Sequence, residues 1–255
     1  MLYVKNLYKT YRALHTQYEV LKDVNLCIAQ GEFVAVMGPS GSGKTTLLNC
    51  ISCYVPFEKG QISLGGQEIS DLTQDELAQV RNKKLGFVFQ DFMLLDGLTV
   101  RENILLPAII GGVVSSKAEE RADRLCTVFG IHDIKNKYPA EISGGEKQRT
   151  AVARALINEP LVILADEPTG NLDSKSSRTV IDSFLSAKQN LGATIFMVTH
   201  DSFAASFCDR VIIMKDGTVG RSLKHTRIRN ENHDRIAFQD QLLEAIRELN
   251  EREED

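Results

Sequence analysis

Phe33-Val34-Ala35-Val36-Met37-Gly38-Pro39-Ser40-Gly41-Ser42-Gly43-Lys44-Thr45-Thr46-Leu47-Leu48 decides the fold of this chain. Five apolar residues read as a short buried strand, and the residues from Thr45 to Tyr54 read as a helix. Between them every position of the pattern Gly-x-x-x-x-Gly-Lys-Thr is filled. Glycines let successive backbone N–H groups curl around a β-phosphate, and the following helix offers its positive N-terminus. Lys44 then reaches the β- and γ-phosphates and Thr45 ligates Mg²⁺. A chance glycine-rich turn would not come with both flanks correct.

The same rhythm recurs further along. Leu161 to Ala165 precedes a helical stretch from Ser174 to Asn190, and Thr194 to Val198 precedes the Asp201 region. Alternating strands and helices predict a mostly parallel sheet. The first of these strands ends in Asp166-Glu167, two carboxylates at the edge where open α/β sheets place ligands. One acid there can hold hydrated Mg²⁺ and the next can polarise a water. The second delivers Thr199-His200-Asp201, whose histidine could reach a γ-phosphate; taken alone, it reads as a strand-end surface residue.

The first thirty residues and Gly60 to Ile69 alternate in a strand-like way, with turns at Gly31-Glu32 and Gly65-Gly66, which predicts an antiparallel sheet. Between Gln90 and Pro160 strand signals fade. Lys117 to Phe129 and Gly144 to Ile157 read as helices, and the residues after Gln90, with Phe92 to Leu95 and Leu98 to Glu102, read as a helical docking surface. From Asp234 onward, Ile236, Leu242, Leu243, Ile246 and Leu249 recur near helical spacing, predicting an amphipathic helix with an acidic tail. Ser143-Gly144-Gly145-Glu146 opens the second of those helices as a capping box. The box explains Ser143 and Glu146 but not the double glycine, which suits close approach of an anion.

Composition narrows the field. The chain has 255 residues, 43% of them hydrophobic, which is ample for a core. With 34 acidic against 30 basic side chains it has no positive field for nucleic acid, so none is expected as partner. The longest apolar stretches, such as Pro107 to Val114, fall far short of the roughly 20 residues that span a bilayer. No secretory signal is visible at the N-terminus, so a cytoplasmic location is expected. The five cysteines make no disulfide framework. Cys50 and Cys53 form a C-x-x-C without a second ligand pair and read as packing residues of the first helix.

Taken in order, these motifs resemble an ABC-transporter nucleotide-binding domain from near the first residue to about residue 220. The phosphate loop Gly38 to Thr45, Gln90, the signature Ile142-Ser143-Gly144-Gly145-Glu146, Asp166-Glu167, Asn171-Leu172-Asp173 and His200 carry the likeness. It implies an α/β fold of the P-loop NTPase type: a mostly parallel core sheet, an antiparallel β subdomain and an inserted helical subdomain at about 91–159. The ATPase domain would cover 1–225 and a C-terminal helical extension 226–255.

By that resemblance the chain hydrolyses ATP. Tyr11 stacks on adenine, Gly38, Pro39, Ser40, Gly41, Ser42, Gly43, Lys44, Thr45 and Thr46 cradle the phosphates, and Thr45, Gln90 and Asp166 serve Mg²⁺. Gln90 also senses the attacking water, Glu167 is the general base, and His200 holds it and the γ-phosphate. Ser143, Gly144, Gly145 and Glu146 meet the nucleotide of a second copy in an ATP-bound homodimer. The signature departs from the family pattern at Ile142 and Glu146, but neither change removes a backbone donor.

Phe89-Gln90-Asp91, Leu94-Leu95-Asp96, Leu98-Thr99-Val100 and Glu102-Asn103-Ile104 resemble the group of macrolide exporters and lipoprotein-release transporters. Lys137 to Ile142, and Thr199-His200-Asp201 followed by Ala204-Ala205-Ser206, look like the bacitracin-resistance type. These imply an integral membrane permease with a large extracellular domain, a role in antimicrobial-peptide resistance, a peripheral place on the inner membrane face, and a sensor histidine kinase as further partner. Two other readings are an ABC ATPase without a permease and a signalling module reporting to that kinase. The first fits poorly, because ribosome-acting relatives carry two cassettes and chromosome-maintenance relatives interrupt theirs with long coiled coils.

Overall fold

The computed structural model describes residues 1–13, 16–112, 115–225 and 231–251. In chain order, strands β1 (Leu2–Ala13), β2 (Thr16–Ile28) and β3 (Phe33–Met37) lead into helix α1 (Lys44–Ile51). Next come β4 (Lys59–Leu64), β5 (Gln67–Glu68), α2 (Gln74–Lys84), β6 (Leu85–Val88), α3 (Val100–Ile110), α4 (Ser116–Val128) and α5 (Gly144–Leu156). The chain continues through β7 (Val162–Asp166), α6 (Ser174–Leu191), β8 (Ile195–Val198), α7 (Ser202–Ala205), β9 (Arg210–Lys215), β10 (Thr218–Lys224) and α8 (Glu231–Glu251). It divides into two compact units, Met1–Leu72 with Phe196–Asp255, and Thr73–Ile195.

In the first unit β2, β1, β4 and β5 lie in that order, and each neighbouring pair is antiparallel. A second group runs β10-β9-β3-β8, with β3 parallel to β9 from Val34↔Arg210 to Met37↔Ile213. All five residues of β3 are buried, the mark of a strand covered on both faces, whereas β2 mixes exposed and buried positions. The register is pinned where the strands begin. The Phe33 amide donates to Asp209 Oδ2 at 2.8 Å, and the Arg210 guanidinium donates to Glu32 and to the Cys27 carbonyl. This half-buried pairing with Arg210 holds the Glu32 carboxyl below its ordinary range although burial opposes it. Helix α8 lies against this unit through Phe238, Leu242 and Ala245, all buried.

In the second unit β6 and β7 pair in parallel from Leu85↔Val162 to Val88↔Ala165. Helices α2, α3 and α5 each begin with a capping box, closed by Thr73 with Glu76, Thr99 with Glu102, and Ser143 with Glu146. Buried Asn103 of α3 donates to the carbonyls of Leu95, Leu98 and Thr99 and accepts from the Leu95 amide at 2.8 Å, so one side chain organises the irregular loop ahead of its helix.

Three expectations need correction. Helix α1 stops at Ile51 because the amides of Tyr54 and Val55 both fold back onto the Asn49 carbonyl; Cys53 therefore lies outside it, at φ +61°. Cys50 is fully buried, and burial pushes its thiol up to about 12. The residues Phe92 to Leu95 are not helical, since Phe92 and Met93 take φ of +60° and +49° and α3 starts only at Val100. Helix α8 begins at Glu231 rather than Asp234, and residues 252–255 of the expected acidic tail lie outside the described residues. Helix α2, whose apolar period is weak, and strand β6 are additions to the elements expected from the sequence.

Gly86 in β6 lets α5 approach, for a Cβ there would sit 2.3 Å from the Ala155 carbonyl oxygen. Gly86→Ala is expected to lower stability by about 2 kcal/mol through overpacking, read from urea denaturation. An unchanged midpoint would contradict the close helix–strand contact.

Candidate functional site

In the first unit, the end of β3 is followed by a loop whose backbone only glycine accommodates at its two ends. Gly38 has φ +152°, and a Cβ on it would lie 2.1 Å from the Met214 carbonyl oxygen. Gly43 has φ +97°, with the Leu21 side chain and Val20 carbonyl at 2.9 Å from its virtual Cβ. The turn is closed by Ser42 N–H to the Pro39 carbonyl and by Gly217 N–H to the Ser42 carbonyl. Lys44 is nearly buried and its ammonium donates to the carbonyls of Gly38 and Pro39 at 2.9 and 2.8 Å.

The entry to α1 differs from the helices around it. Gly43 stands at its N-cap with no side-chain bond, whereas Thr73, Thr99, Ser115, Ser143, Asp173 and Asp201 each cap a helix with an oxygen. Gly43 thus places no side-chain oxygen over the N-terminus of α1, whose positive dipole end suits an anion. Thr45 is exposed on that first turn and Thr46 half-buried, while Pro39, Ser40 and Gly41 are exposed.

Two further expected residues belong to this unit. Tyr11, on β1, is 41% exposed, and the Lys9 ammonium lies 5.0 Å from its ring centroid. A solvent-facing phenol ring beside a cation is suited to stacking on a flat base. His200 follows β8 and is exposed. The turn around it is locked by Asp201 N–H to Thr199 Oγ1 at 3.0 Å and Phe203 N–H to Asp201 Oδ1 at 2.8 Å.

The second unit brings Gln90, the signature turn and the Asn171 loop together. Gln90 Nε2 donates to Asn171 Oδ1 at 3.0 Å, and Asn171 Nδ2 donates to Asp91 Oδ1 at 2.8 Å. Gln90's side-chain carbonyl is thereby left as its acceptor for another partner. A Cβ on Gly144 would meet Leu172 at 3.2 Å and Phe92 at 3.7 Å, and one on Gly145 would meet Ser176 at 3.4 Å. The Ser143 hydroxyl and amide both donate to Glu146, holding its carboxyl below the ordinary range. Asp173 caps α6 by accepting from the amides of Lys175 and Ser176.

Asp166 ends β7, and Glu167 follows at φ +45°, a left-handed backbone that a non-glycine residue adopts only when its surroundings impose it. Such outliers cluster where a side chain must be aimed.

Two residues of α5 were not anticipated. Gln148, fully buried, donates to the carbonyls of Phe89 and Pro168 at 3.2 and 2.8 Å. Arg154 donates to the carbonyls of Phe92, at 2.7 Å, and Met93; burial lowers its guanidinium to about 10. The signature helix therefore grips the chain on both sides of Gln90 and just after Glu167. Gln148 and Arg154 stand among Ala151, Val152, Ala155 and Leu156 in the sequence, but their burial and their carbonyl partners show only in the fold.

No helix among the described residues is long and apolar enough to cross a membrane.

Comparison with known proteins agrees with this geometry. Residues 21–170 match the family model described as ABC transporter. The chain is 50% identical over 219 residues to the bacitracin export ATP-binding protein BceA of Halalkalibacterium halodurans, covering 86% of this chain and 87% of that protein. It is 46% identical over 246 residues to the ABC transporter ATP-binding protein YxdL of Bacillus subtilis, covering 96% and 93%. Among solved structures, the dimeric bacterial ABC transporter cassette MJ0796 matches with a TM-score of 0.80 at 41% identity, covering 89% of this chain and all of that one. A second dimeric structure of that cassette, in a post-hydrolysis state with ADP and Pi, matches with a TM-score of 0.79.

Lys44→Ala is expected to reduce ATP hydrolysis below about a tenth of wild type, because the loop loses the full positive charge that Lys44 brings to it. The circular dichroism spectrum should be unchanged. Turnover above that level would contradict the assignment of this loop.

Proposed function

The chain belongs to the ABC transporter family as an ATP-binding, ATP-hydrolysing subunit, and we propose that it powers a membrane permease that exports or detoxifies antimicrobial peptides. The loop at 38–45 carries the reading: left-handed glycines, an uncapped α1 and the Lys44 ammonium combine there. The name of the bacitracin-export relative supports the peptide-antibiotic assignment. We extend it to a permease with a large extracellular domain, a place on the cytoplasmic face of the membrane, and a sensor histidine kinase as a further partner. In the same reading 1–225 form the ATPase domain, with 91–159 as its helical insertion and 226–255 as an extension.

The residues divide the work by their chemistry. Gly38 to Thr46 would hold the phosphates and Tyr11 the base. Thr45, Gln90 and Asp166 offer hydroxyl, amide and carboxylate oxygens, a hard donor set that fits Mg²⁺. Bound there, the ion would neutralise charge on the β- and γ-phosphates. Glu167 would take a proton from the attacking water, with its left-handed backbone fixing the carboxylate's approach, and His200 would hold the γ-phosphate. Ser143, Gly144, Gly145 and Glu146 would present the N-terminus of α5 to phosphate.

Lys44 and Ser143 belong to different compact units, and the solved cassette MJ0796 is a dimer. A two-fold pair in which each copy's signature turn completes the other's phosphate loop makes two equivalent sites with ATP in the seam. Hydrolysis removes a contact at the γ-phosphate and reopens the pair. Met93 and Leu95, 57% and 50% exposed beside the Gln90 loop, are the proposed permease contact.

Glu167→Gln should spare ATP binding, block water activation and accumulate the closed dimer, measured by size-exclusion chromatography with light scattering. A variant with no hydrolysis that remains monomeric with saturating ATP, both alone and in the permease complex, would contradict the shared site. Leu95→Glu should abolish permease-stimulated ATPase while leaving the unstimulated rate within about twofold, as expected for a rim substitution outside the phosphate site. Full stimulation would place the contact elsewhere.

A further inference from the structure

Helix α7 begins two residues after His200, with Asp201 as its N-cap, and is four residues long, Ser202–Ala205. One helical turn does not sustain itself, because nucleation costs more than its few hydrogen bonds return. Something outside α7 has to fix it, and with it the end of the turn that carries His200. In the first unit, α8 makes those contacts.

Two side chains one turn apart on α8 reach both ends of α7. Gln239 Nε2 donates to Ser202 Oγ at 3.2 Å, on the first residue of the helix and two residues from His200. Arg235 Nη1 donates to Ser206 Oγ at 3.1 Å, just past its last residue, and to Gln239 Oε1 at 3.2 Å. Ser206 is fully buried and its own hydroxyl donates to the Phe203 carbonyl at 2.7 Å. The same guanidinium lies 5.2 Å from the Phe203 ring and 5.0 Å from the Phe207 ring, which meet edge to face at 5.1 Å. A half-buried cation over two rings is worth more than an exposed one.

The strap is itself anchored along its length. Phe238, Leu242 and Ala245 are buried, and the His225 ring stacks on Phe238 at 4.7 Å. Towards its C-terminal end, Arg221 pairs with Glu248 at 2.7 Å and the Lys215 ammonium donates to the Leu249 carbonyl. Gln239 and Arg235 therefore act from a fixed base. On the far side of His200, Thr199 is buried and its amide is tied to the Val36 carbonyl at 3.1 Å. His200 is thus suspended between β3 and a short helix whose position is set by α8.

We propose that α8 is a positioning strap for the histidine turn, with Arg235 and Gln239 holding His200 in the orientation that ATP hydrolysis requires. The inference rests on the reading of His200 as the γ-phosphate contact. Neither residue touches nucleotide in this account, so both are positioning residues that act through Ser202, Phe203 and Ser206. The C-terminal segment would then be part of the motor rather than an appendage.

The test is steady-state ATPase on the full chain, together with the ¹³C-labelled histidine ring spectrum. The His200 signal is assigned from His200→Gln, and His132 serves as the reference. Arg235→Ala/Gln239→Ala should lower kcat by about tenfold, the scale of a misplaced catalytic group, with KM for ATP within about twofold. The His200 ring signal should shift or broaden while that of His132 stays put. Arg235→Lys, which keeps a cation over the rings, should recover most of the rate. Gln239→Ala alone leaves the aromatic stack intact and should show a smaller loss in the same direction, which keeps the test valid if the double variant unfolds. Unchanged kcat and an unmoved His200 signal in these folded variants would overturn the strap, as would a loss of rate with that signal unmoved. Wild-type turnover by His200→Gln would instead overturn the reading of His200 on which the proposal rests.

Discussion

The structure depends on a backbone that must turn its amides inward after β3 without burying a side chain to fill the turn. Gly38 and Gly43 satisfy that constraint at the two points where a Cβ would strike Met214 and Val20. Lys44 closes the loop by bonding two of its carbonyls. The fully buried β3 supplies the rigid base, and the Phe33–Asp209 and Arg210–Glu32 contacts fix its register against β9. A loop of this kind binds an anion with dipoles and one ammonium, so little rearrangement is needed when charge moves during reaction.

The second unit solves a different problem, that of making several loops behave as one. Gln148 and Arg154 reach from α5 to the carbonyls of Phe89, Phe92, Met93 and Pro168. Asn171 ties Gln90 to Asp91. A displacement of the exposed Met93–Leu95 ridge is therefore felt at the base of the signature turn and at the residue after Glu167. In the proposed motor, this is the physical link through which a permease contact would bias the ATP site.

Much of this was legible in the sequence because the chemistry leaves few choices. The glycine-rich loop sits between strand and helix as its spacing required, and Asp166 ends a strand with Glu167 directly after it. Ser143 and Glu146 form the capping box their spacing predicted. What could not be read depended on contacts between distant residues. The left-handed turn at Phe92-Met93 exists because Arg154 holds its carbonyls, and no local pattern announces that. The need for glycine at position 86 comes from the Ala155 carbonyl of α5 packed against it, a contact between residues far apart in the chain. The early end of α1 follows from two amides competing for the Asn49 carbonyl, which propensity alone does not report. The periodicity of α8 was visible, but its grip on α7 was not.

In the proposed motor, each catalytic site is assembled from two copies of the chain. Complementation tests it most directly. A Lys44→Ala chain keeps a sound signature turn, and a Gly145→Asp chain keeps a sound phosphate loop while placing a negative charge where phosphate would approach. Each alone should be inactive. Mixed in equal amounts and allowed to exchange with ATP, they should recover about a quarter of wild-type ATPase, since half of the random pairs contain one complete site of two. No activity above the sum of the separate variants, with mixed pairs verified by differential tags, would contradict the shared-site account.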